Sequence, residues 1–493
     1  MDSKDETRQE PLHILFLPFF ATGHLIPVAD MAALFAARGA RCTILTTPVN
    51  ASIIRPAIDR ANDANHDQTI VLSVVPFPDV GLPRGFENLQ SITPSHGESY
   101  HVKFLQAAQL LREPFDRFMA AERLRVDAVV ADSFLPWSAD AAAAHGVTRL
   151  VFLGSSVFER SCSESLLRNN PLEKMTTCPD GGDDARLIVS LPGLPHRVEM
   201  MRSQMLDSTK RPEEWAFYQG NNAADQRSFG EVFNSFRELE PDYVEHFHAT
   251  LGRRAWLVGP VALASRGMCH TRTSDVAGDG CLQWLNRKPA RSVVYVSFGT
   301  LTNFSSAELR EIARGLDLSG NNFLWVISGS AGETSGWMPG GFAELLAHGD
   351  RGFVMRGWAP QTLILNHLAV GGFMTHCGWN SVMEALSAGT PMVTWPRYAD
   401  QFHNEKLLVE VLKVGVSIGA KDYASPMEAH EVISGQLIAE SIRRLMSDSE
   451  EGDAMRKKAK ELGVMARRAV EKGGSSYHDV GRLMDELMAR RSS

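Results

Sequence analysis

Short β-rich runs alternate with helical patterns along this chain in two successive sets. That alternation restricts the fold more than any other feature, because such spacing builds parallel sheets covered by helices. The first set opens with a strand at His13 to Pro18, a helix with Pro27 near its start, a stop at Gly39 and a second strand at Arg41 to Thr46. Further strands are expected at Thr69 to Val75, Asp127 to Ala131, Arg149 to Leu153, Glu231 to Asn234 and Ala255 to Val258. The second set starts at Ser292 to Phe298, followed by a helix whose Ser305 and Glu308 have capping-box spacing and whose end is marked by Gly320. Strands then recur at Asn322 to Ser328, Phe353 to Arg356, Gly372 to Thr375, Met392 to Trp395 and Val416 to Ile418. Gly259 to Gly280 has neither periodicity and reads as the linker between two doubly wound halves. A second irregular segment, Thr176 to Pro195, reads as a loop over a site or a surface insertion.

Composition narrows the function. With 493 residues, 44% of them hydrophobic, the chain can bury more than one core. Its 50 Lys and Arg against 58 Asp and Glu leave a net charge of 50 − 58 = −8, which argues against nucleic acid or an anionic membrane as partner. An anionic ligand would have to be held locally, by backbone amides, helix ends and a few side chains. The first ten residues are too polar for a secretory signal. Gly357 to Met383 lacks any Asp, Glu, Lys or Arg, yet its Gln361, Asn366, His367, His376 and Asn380 make it buried α/β core around a site, not a membrane span. The six cysteines (Cys42, Cys162, Cys178, Cys269, Cys281, Cys377) are scattered and form no zinc spacing, so reduced thiols in a cytoplasmic protein are expected.

The most informative window is Trp358 to Gln401. Gly372 to Thr375 reads as a strand, His376 to Trp379 as a turn, Asn380 to Ser387 as a short helix closed by Gly389, and Met392 to Trp395 as the next strand. A helix beginning near Gly378 offers free N–H groups and a positive dipole end to an anion, outside the carboxyl ends of the strands. His376, Asn380 and Ser381 stand at that end and can donate to phosphate oxygens, although each alone reads equally as a cap or a core residue. Glu384, one turn after Asn380, lies on the same face, where a carboxylate can accept from ribose hydroxyls.

In the first half, His24 follows the first strand and Asp132 follows the strand at Asp127 to Ala131, so both reach the edge where doubly wound sheets place chemistry. An imidazole with an ordinary pKa near 6.5 suits proton removal from a hydroxyl, and a partnered carboxylate would fix its tautomer; taken alone, a structural loop histidine and an aspartate capping the following helix are the leading readings. Asp30, in the helix after His24, reads as structural. Phe19, Phe20, Phe134, Trp137 and Phe158 could line an apolar acceptor pocket beside Thr22, with Met200, Met201 and Met205 as a plastic wall; ordinary core packing is the competing reading. The chain has no Gly-x-Gly-x-x-Gly, no Gly-Lys and no Gly-x-Ser-x-Gly, which removes dinucleotide oxidoreductases, P-loop enzymes and α/β-hydrolases.

The window resembles the signature box of the plant UDP-sugar-dependent glycosyltransferases of secondary metabolism. WAPQ stands at 358–361, HCGWNS at 376–381, Glu384 follows, then GTP at 389–391 and the closing Asp400-Gln401. The likeness extends to Gly23-His24-x-x-Pro27, NSFRELEP at 234–241, CLQWL at 281–285 and VYVSFGT at 294–300. It implies a GT-B fold, an α/β architecture of two Rossmann-like domains facing each other across a cleft. The expected division is 1–259 for the acceptor domain, 260–280 for the linker, 281–475 for the donor domain, and 476–493 as a helix packing back on the first domain.

The resemblance also implies roles. Trp358 would stack on uracil, with Ala359 and Gln361 near the nucleoside. His376, Asn380 and Ser381 would hold the diphosphate, reached also by Ser297 and Thr300, with Gly378 and Trp379 among the donor-binding residues. Glu384 would take the ribose, and Asp400 and Gln401 the sugar, Gln at the last position being typical of glucose users. His24 would be the base and Asp132 its partner, with Phe19, Thr22, Phe134, Trp137, Phe158 and Met201 around the acceptor. The implied reaction is an inverting transfer from UDP-glucose to a hydroxyl of a small lipophilic acceptor, without a metal or other cofactor, by a cytoplasmic monomer. A UDP-sugar-binding sensor and a same-fold epimerase are the alternatives. Thr22, where the family often has Gln or Ser, bears on acceptor preference and leaves the base intact.

Overall fold

A computed structural model describes residues 10–64, 70–121, 125–173, 186–266, 279–327, 335–424 and 428–491. The N-terminal lobe holds strands β1 (His13–Leu17), β2 (Arg41–Thr46), β3 (Ile70–Val74), β4 (Ala128–Asp132) and β5 (Thr148–Phe152). A hairpin of β6 (Ile188–Leu191) and β7 (Val198–Met201) comes next, then β8 (Gly230–Phe233) and β9 (Ala255–Leu257). The C-terminal lobe holds β10 (Val293–Ser297), β11 (Asn322–Ile327), β12 (Gly352–Arg356), β13 (Val370–Thr375), β14 (Met392–Thr394) and β15 (Gly415–Ser417).

The first sheet runs β3-β2-β1-β4-β5-β8-β9 and the second β12-β11-β10-β13-β14-β15, with parallel pairing throughout. In both, the chain winds outward from its first strand and then reverses to the other side, which puts a switch point between β1 and β4 and another between β10 and β13. Crevices open at the carboxyl ends of strands at such points. The central strands β1, β4, β10 and β13 are buried along their whole lengths, as helix cover on both faces requires.

Three expectations change. The helix after β1 begins at Thr22, not near Pro27, so Pro27 lies inside it and His24 sits in its first turn. The presumed linker opens with a helix, Val261–Arg266, which packs against the Thr22–Ala36 helix; Ser265 Oγ donates to Asp30 at 2.8 Å. Residues 267–278, with Cys269, lie outside the described residues. Within the irregular segment Thr176 to Pro195, positions 176–185 lie outside them too, while Ile188–Leu191 pairs antiparallel with Val198–Met201. Short alternation, one side chain in and the next out, was hidden there among prolines and glycines.

The last helix, Ser475–Arg491, crosses back to the N-terminal lobe. Val480, Leu483 and Leu487 join the core formed by β1, β2 and the Thr22–Ala36 helix. Asp479 accepts from the Leu257 amide at 2.9 Å, and Ser476 Oγ donates to the Gly259 carbonyl at 2.6 Å. The helix therefore covers edge strand β9, which would otherwise present unpaired backbone groups.

Candidate active site

His24 and Asp132 flank the first switch point. Asp132 is the last residue of β4, and its Oδ1 accepts from the Phe134 amide at 3.0 Å, which fixes the carboxylate as the chain turns. Its Oδ2 lies 2.7 Å from His24 Nδ1. The ring nitrogen bonded to Asp132 is thereby committed, and Nε2 is the nitrogen left for chemistry. Phe19 and Phe134 hold the imidazole at ring-centre distances of 5.5 and 5.4 Å. Burial pushes its pKa down, but the charge and hydrogen bond of Asp132, with a further contribution from Asp400, outweigh that and raise it above the ordinary value.

Across the cleft, the turn between β13 and the helix Trp379–Ala388 lies at the second switch point. Cys377 adopts φ 67°, a conformation uncommon for a residue with a side chain, and the chain swings there so that Gly378 becomes the N-cap. His376 fills the space beside two glycines: a Cβ on Gly378 would come within 2.4 Å of its Nε2, and one on Gly299 within 2.9 Å. Burial, then the nearby Arg397 guanidinium, push His376 down to about 4, so it is neutral at pH 7. It can then serve as a hydrogen-bond donor and not as a cation.

The rest of the box is cross-linked. Gln361 accepts from the Tyr295 hydroxyl at 3.1 Å and donates to Ser381 Oγ at 3.1 Å and Glu384 Oε2 at 2.8 Å, while Thr362 donates to Glu384 Oε1 at 3.1 Å. Trp358, at the mouth, has 70% of its surface exposed, an unusual place for a large indole without a ligand to cover it. Ser297, Thr300 and Ala359 line the same cleft. Asp400 precedes the helix Gln401–Lys406 but does not cap it; its Oδ2 accepts from Asn404 at 2.8 Å and from Ser155 of the other lobe at 3.3 Å. Burial, then Glu159, push its carboxyl up to about 6. Gln401 Oε1 accepts from the amides of Arg397 and Tyr398, which fixes the orientation of its side chain.

The two walls enclose a cleft of about 1570 Å³ and are bonded to each other. Asn380 donates to the Gly23 carbonyl at 2.5 Å, Trp379 Nε1 to the Asn234 carbonyl at 2.8 Å, and Gln204 to the Ala420 carbonyl at 2.8 Å. Trp379 thus serves the lobe contact through its indole. On the acceptor side Phe19, Thr22 and Phe134 line the cleft; Thr22 Oγ1 donates to Gln90 at 2.5 Å.

Trp137, Phe158 and Met201 do not line it. Trp137 donates to the Ala108 carbonyl and packs on Phe115, Phe158 is fully buried against Tyr243, and Met201 lies on the hairpin. Phe20 and Met200 are core residues as well, whereas Met205 reaches the cleft. Sequence reasoning missed Phe217, Tyr218, His101 and Glu214, which complete this wall, and the facing pair Glu159 and His403. The aromatic doublet Phe217-Tyr218 was the one visible signal.

A family profile described as "UDP-glucoronosyl and UDP-glucosyl transferase" matches residues 223–447. The chain is 40% identical over 489 residues to a scopoletin glucosyltransferase of Nicotiana tabacum, covering 98% of this chain and 99% of that one. It is 39% identical over 497 residues to UDP-glycosyltransferase 73B4 of Arabidopsis thaliana, covering 98% and 100%. The chain belongs to the plant UDP-glycosyltransferase family. The crystal structure of a Glycyrrhiza uralensis relative, UGT73P12, complexed with glycyrrhetinic acid 3-O-monoglucuronide, superposes with a TM-score of 0.88 at 38% identity, over 97% of this chain and 96% of that one. A Medicago truncatula relative, UGT71G1, complexed with UDP-glucose, gives 0.77 at 26% identity, over 97% and 98%. The fold of this UDP-glycosyltransferase is accordingly GT-B. Among the described residues no helix is long and apolar enough to cross a membrane.

Proposed function

We propose that this UDP-glycosyltransferase moves glucose from UDP-glucose to a hydroxyl of a small lipophilic acceptor of flavonoid, phenolic, terpenoid or steroid type, giving a β-glucoside. The observation that carries the reading is the His24–Asp132 pair at 2.7 Å, standing across one cleft from the box of Trp358, Glu384 and Asp400. His24 Nε2 takes the acceptor's proton as its oxygen attacks the anomeric carbon. The bond from that carbon to the diphosphate breaks, and its electron pair leaves with UDP from the opposite face, so the configuration inverts. Asp132 holds the tautomer and meets the charge of the imidazolium. His376, Asn380, Ser381 and the helix amides meet the charge growing on the diphosphate. Trp358 stacks on uracil, Glu384 takes the ribose, and Asp400 with Gln401 takes the sugar. No step is assigned to a metal, since UDP leaves readily once its charge is met.

The acceptor reading is supported by the apolar wall of Phe19, Phe134 and Phe217, and by relatives named for scopoletin, anthocyanin and flavonoid. Among the described residues, the buried thiols of Cys42, Cys162 and Cys377 stand outside any disulfide, which supports a cytoplasmic setting. The test incubates the protein with UDP-glucose and a mixed panel of such hydroxyl compounds, follows glucosides by mass spectrometry, and runs His24→Ala in parallel. Glucoside made by the wild type and lost in a variant that still binds UDP is the expected result. Undiminished activity in His24→Ala would remove the base assignment.

A further inference from the structure

The helix Val157–Asn169 is capped by Ser156, whose Oγ accepts from the Glu159 amide at 2.9 Å. From that position a glutamate ordinarily reaches back to the cap's own N–H. Glu159 turns away instead: Oε1 accepts from Ser163 at 2.5 Å, and Oε2 has no hydrogen-bond partner although the residue is only 5% exposed. Facing it from the other lobe is His403, 8% exposed, with neither ring nitrogen bonded. Its Nδ1 is 3.7 Å from Glu159 Oε1, too far for a hydrogen bond. Both residues line the cleft, and His403 lies three residues beyond Asp400. Buried polar atoms without partners are costly, and several of them converging on a ligand cleft mark a place where a ligand completes the bonding.

The chemistry of the missing partner follows from the atoms. A carboxylate oxygen needs a donor, and an imidazole supplies at least one N–H in either protonation state. An anion would be repelled by Glu159 and Asp400, an ammonium would leave the imidazole N–H unmet, and an apolar group would satisfy neither. An alcohol hydroxyl donates to one and accepts from the other. We propose that Glu159 and His403 form a hydroxyl-binding subsite built from both lobes. It rests on the transferase reading above, and its hydroxyl comes from the donor's hexose, which Asp400 adjoins, or from a second hydroxyl of the acceptor.

The test uses Glu159→Met and His403→Phe, which keep bulk and remove the polar atoms, with His403→Gln as the rescue. Calorimetry compares UDP-glucose with UDP, and kinetics compare a polyhydroxylated acceptor with its monohydroxyl counterpart. UDP-glucose binding weakened about tenfold or more, with UDP binding unchanged, assigns the hydroxyl to the hexose. Unchanged donor binding with an acceptor KM raised about tenfold, for the polyhydroxylated compound alone, assigns it to the acceptor. In both cases His403→Gln restores part of the loss. If neither changes, or if UDP and UDP-glucose weaken equally, the subsite is overturned. A wild type that transfers glucose beside variants that match it defeats only the subsite, whereas a wild type that binds UDP-glucose and glucosylates nothing defeats the transferase reading.

Discussion

The side-chain amide of Asn380 donates to the backbone carbonyl of Gly23 at 2.5 Å, and that carbonyl is free to accept because the residue four positions on is Pro27. In an unbroken helix the amide of residue 27 would bond back to Gly23; proline has no N–H to give. The first turn that carries His24 is therefore tied directly to the helix end that faces the donor. Asn380→Ala should lower kcat, and Pro27→Ala, by returning an N–H to the Gly23 carbonyl, should weaken the same link. A double-mutant cycle on kcat should show coupling of about 0.5–3 kcal/mol between the two. Strict additivity would show that the link carries nothing.

His24 acts as a base only when neutral, and its pKa is raised. Acceptor-dependent kcat/KM should thus fall on acidification from a break above the ordinary imidazole value of about 6.5. Asp132→Asn removes the largest influences that raise the pKa and leaves burial, which lowers it, opposed only by the smaller contribution of Asp400. The break should move to lower pH while the plateau rate drops. A profile that does not move in the variant would separate the limb from His24. His24→Ala should cost roughly 10²–10⁴-fold in kcat.

Trp358 is largely exposed, so its replacement should leave stability alone. If it stacks on uracil, Trp358→Ala weakens UDP binding by about 1–3 kcal/mol. Calorimetry with UDP beside a thermal melt reads both quantities, and a lower Tm with unchanged affinity would make the indole a packing residue.

Asp400 is held up to about 6, first by burial and then by Glu159. Below that pH the carboxyl carries a proton and loses much of its capacity to accept from sugar hydroxyls. UDP-glucose should lose its advantage over UDP as pH falls through about 6, and in Asp400→Asn the difference should be small at every pH. An advantage that persists unaltered to pH 5 would place the sugar elsewhere.

Two glycines separate site from scaffold. A Cβ at Gly378 would sit 2.4 Å from His376 Nε2, whereas one at Gly315 would meet Ile438 at 2.6 Å, where the helices Ser306–Ser319 and Gly435–Met446 pack, away from the cleft. Gly378→Ala should weaken UDP binding by displacing the imidazole. Gly315→Ala should cost about 1–3 kcal/mol of stability in denaturant melts with UDP affinity retained. The reverse pattern would misplace the donor site.

The strands were legible to within a residue or two at most ends because continuous apolar runs bounded by Gly, Pro and polar residues leave little choice. The two switch-point clusters were legible as well, since His24, Asp132, Ser297 and His376 follow or end strands that read clearly. What could not be read was direction. Trp137, Phe158 and Met201 sit near the cleft in sequence, but their helix or strand turns them away from it, and one residue of offset decides that. The start of the Thr22–Ala36 helix was misjudged because Pro27 signals a first turn, and nothing local shows that the helix tolerates it one turn in. Glu159 and His403 lie 244 positions apart, and no pattern along the chain announces that they meet.

The helix Ser475–Arg491 also bears on how the molecule is made. Its surface complement on the N-terminal lobe, around Trp256 and Leu257, leaves the ribosome early, but the piece that covers it is translated after the whole C-terminal lobe. During synthesis the first lobe must wait with an apolar strip and a strand edge open to water. A chaperone, or nascent-chain association, would act in that interval, and losing the last two turns would prolong it without touching a single catalytic group.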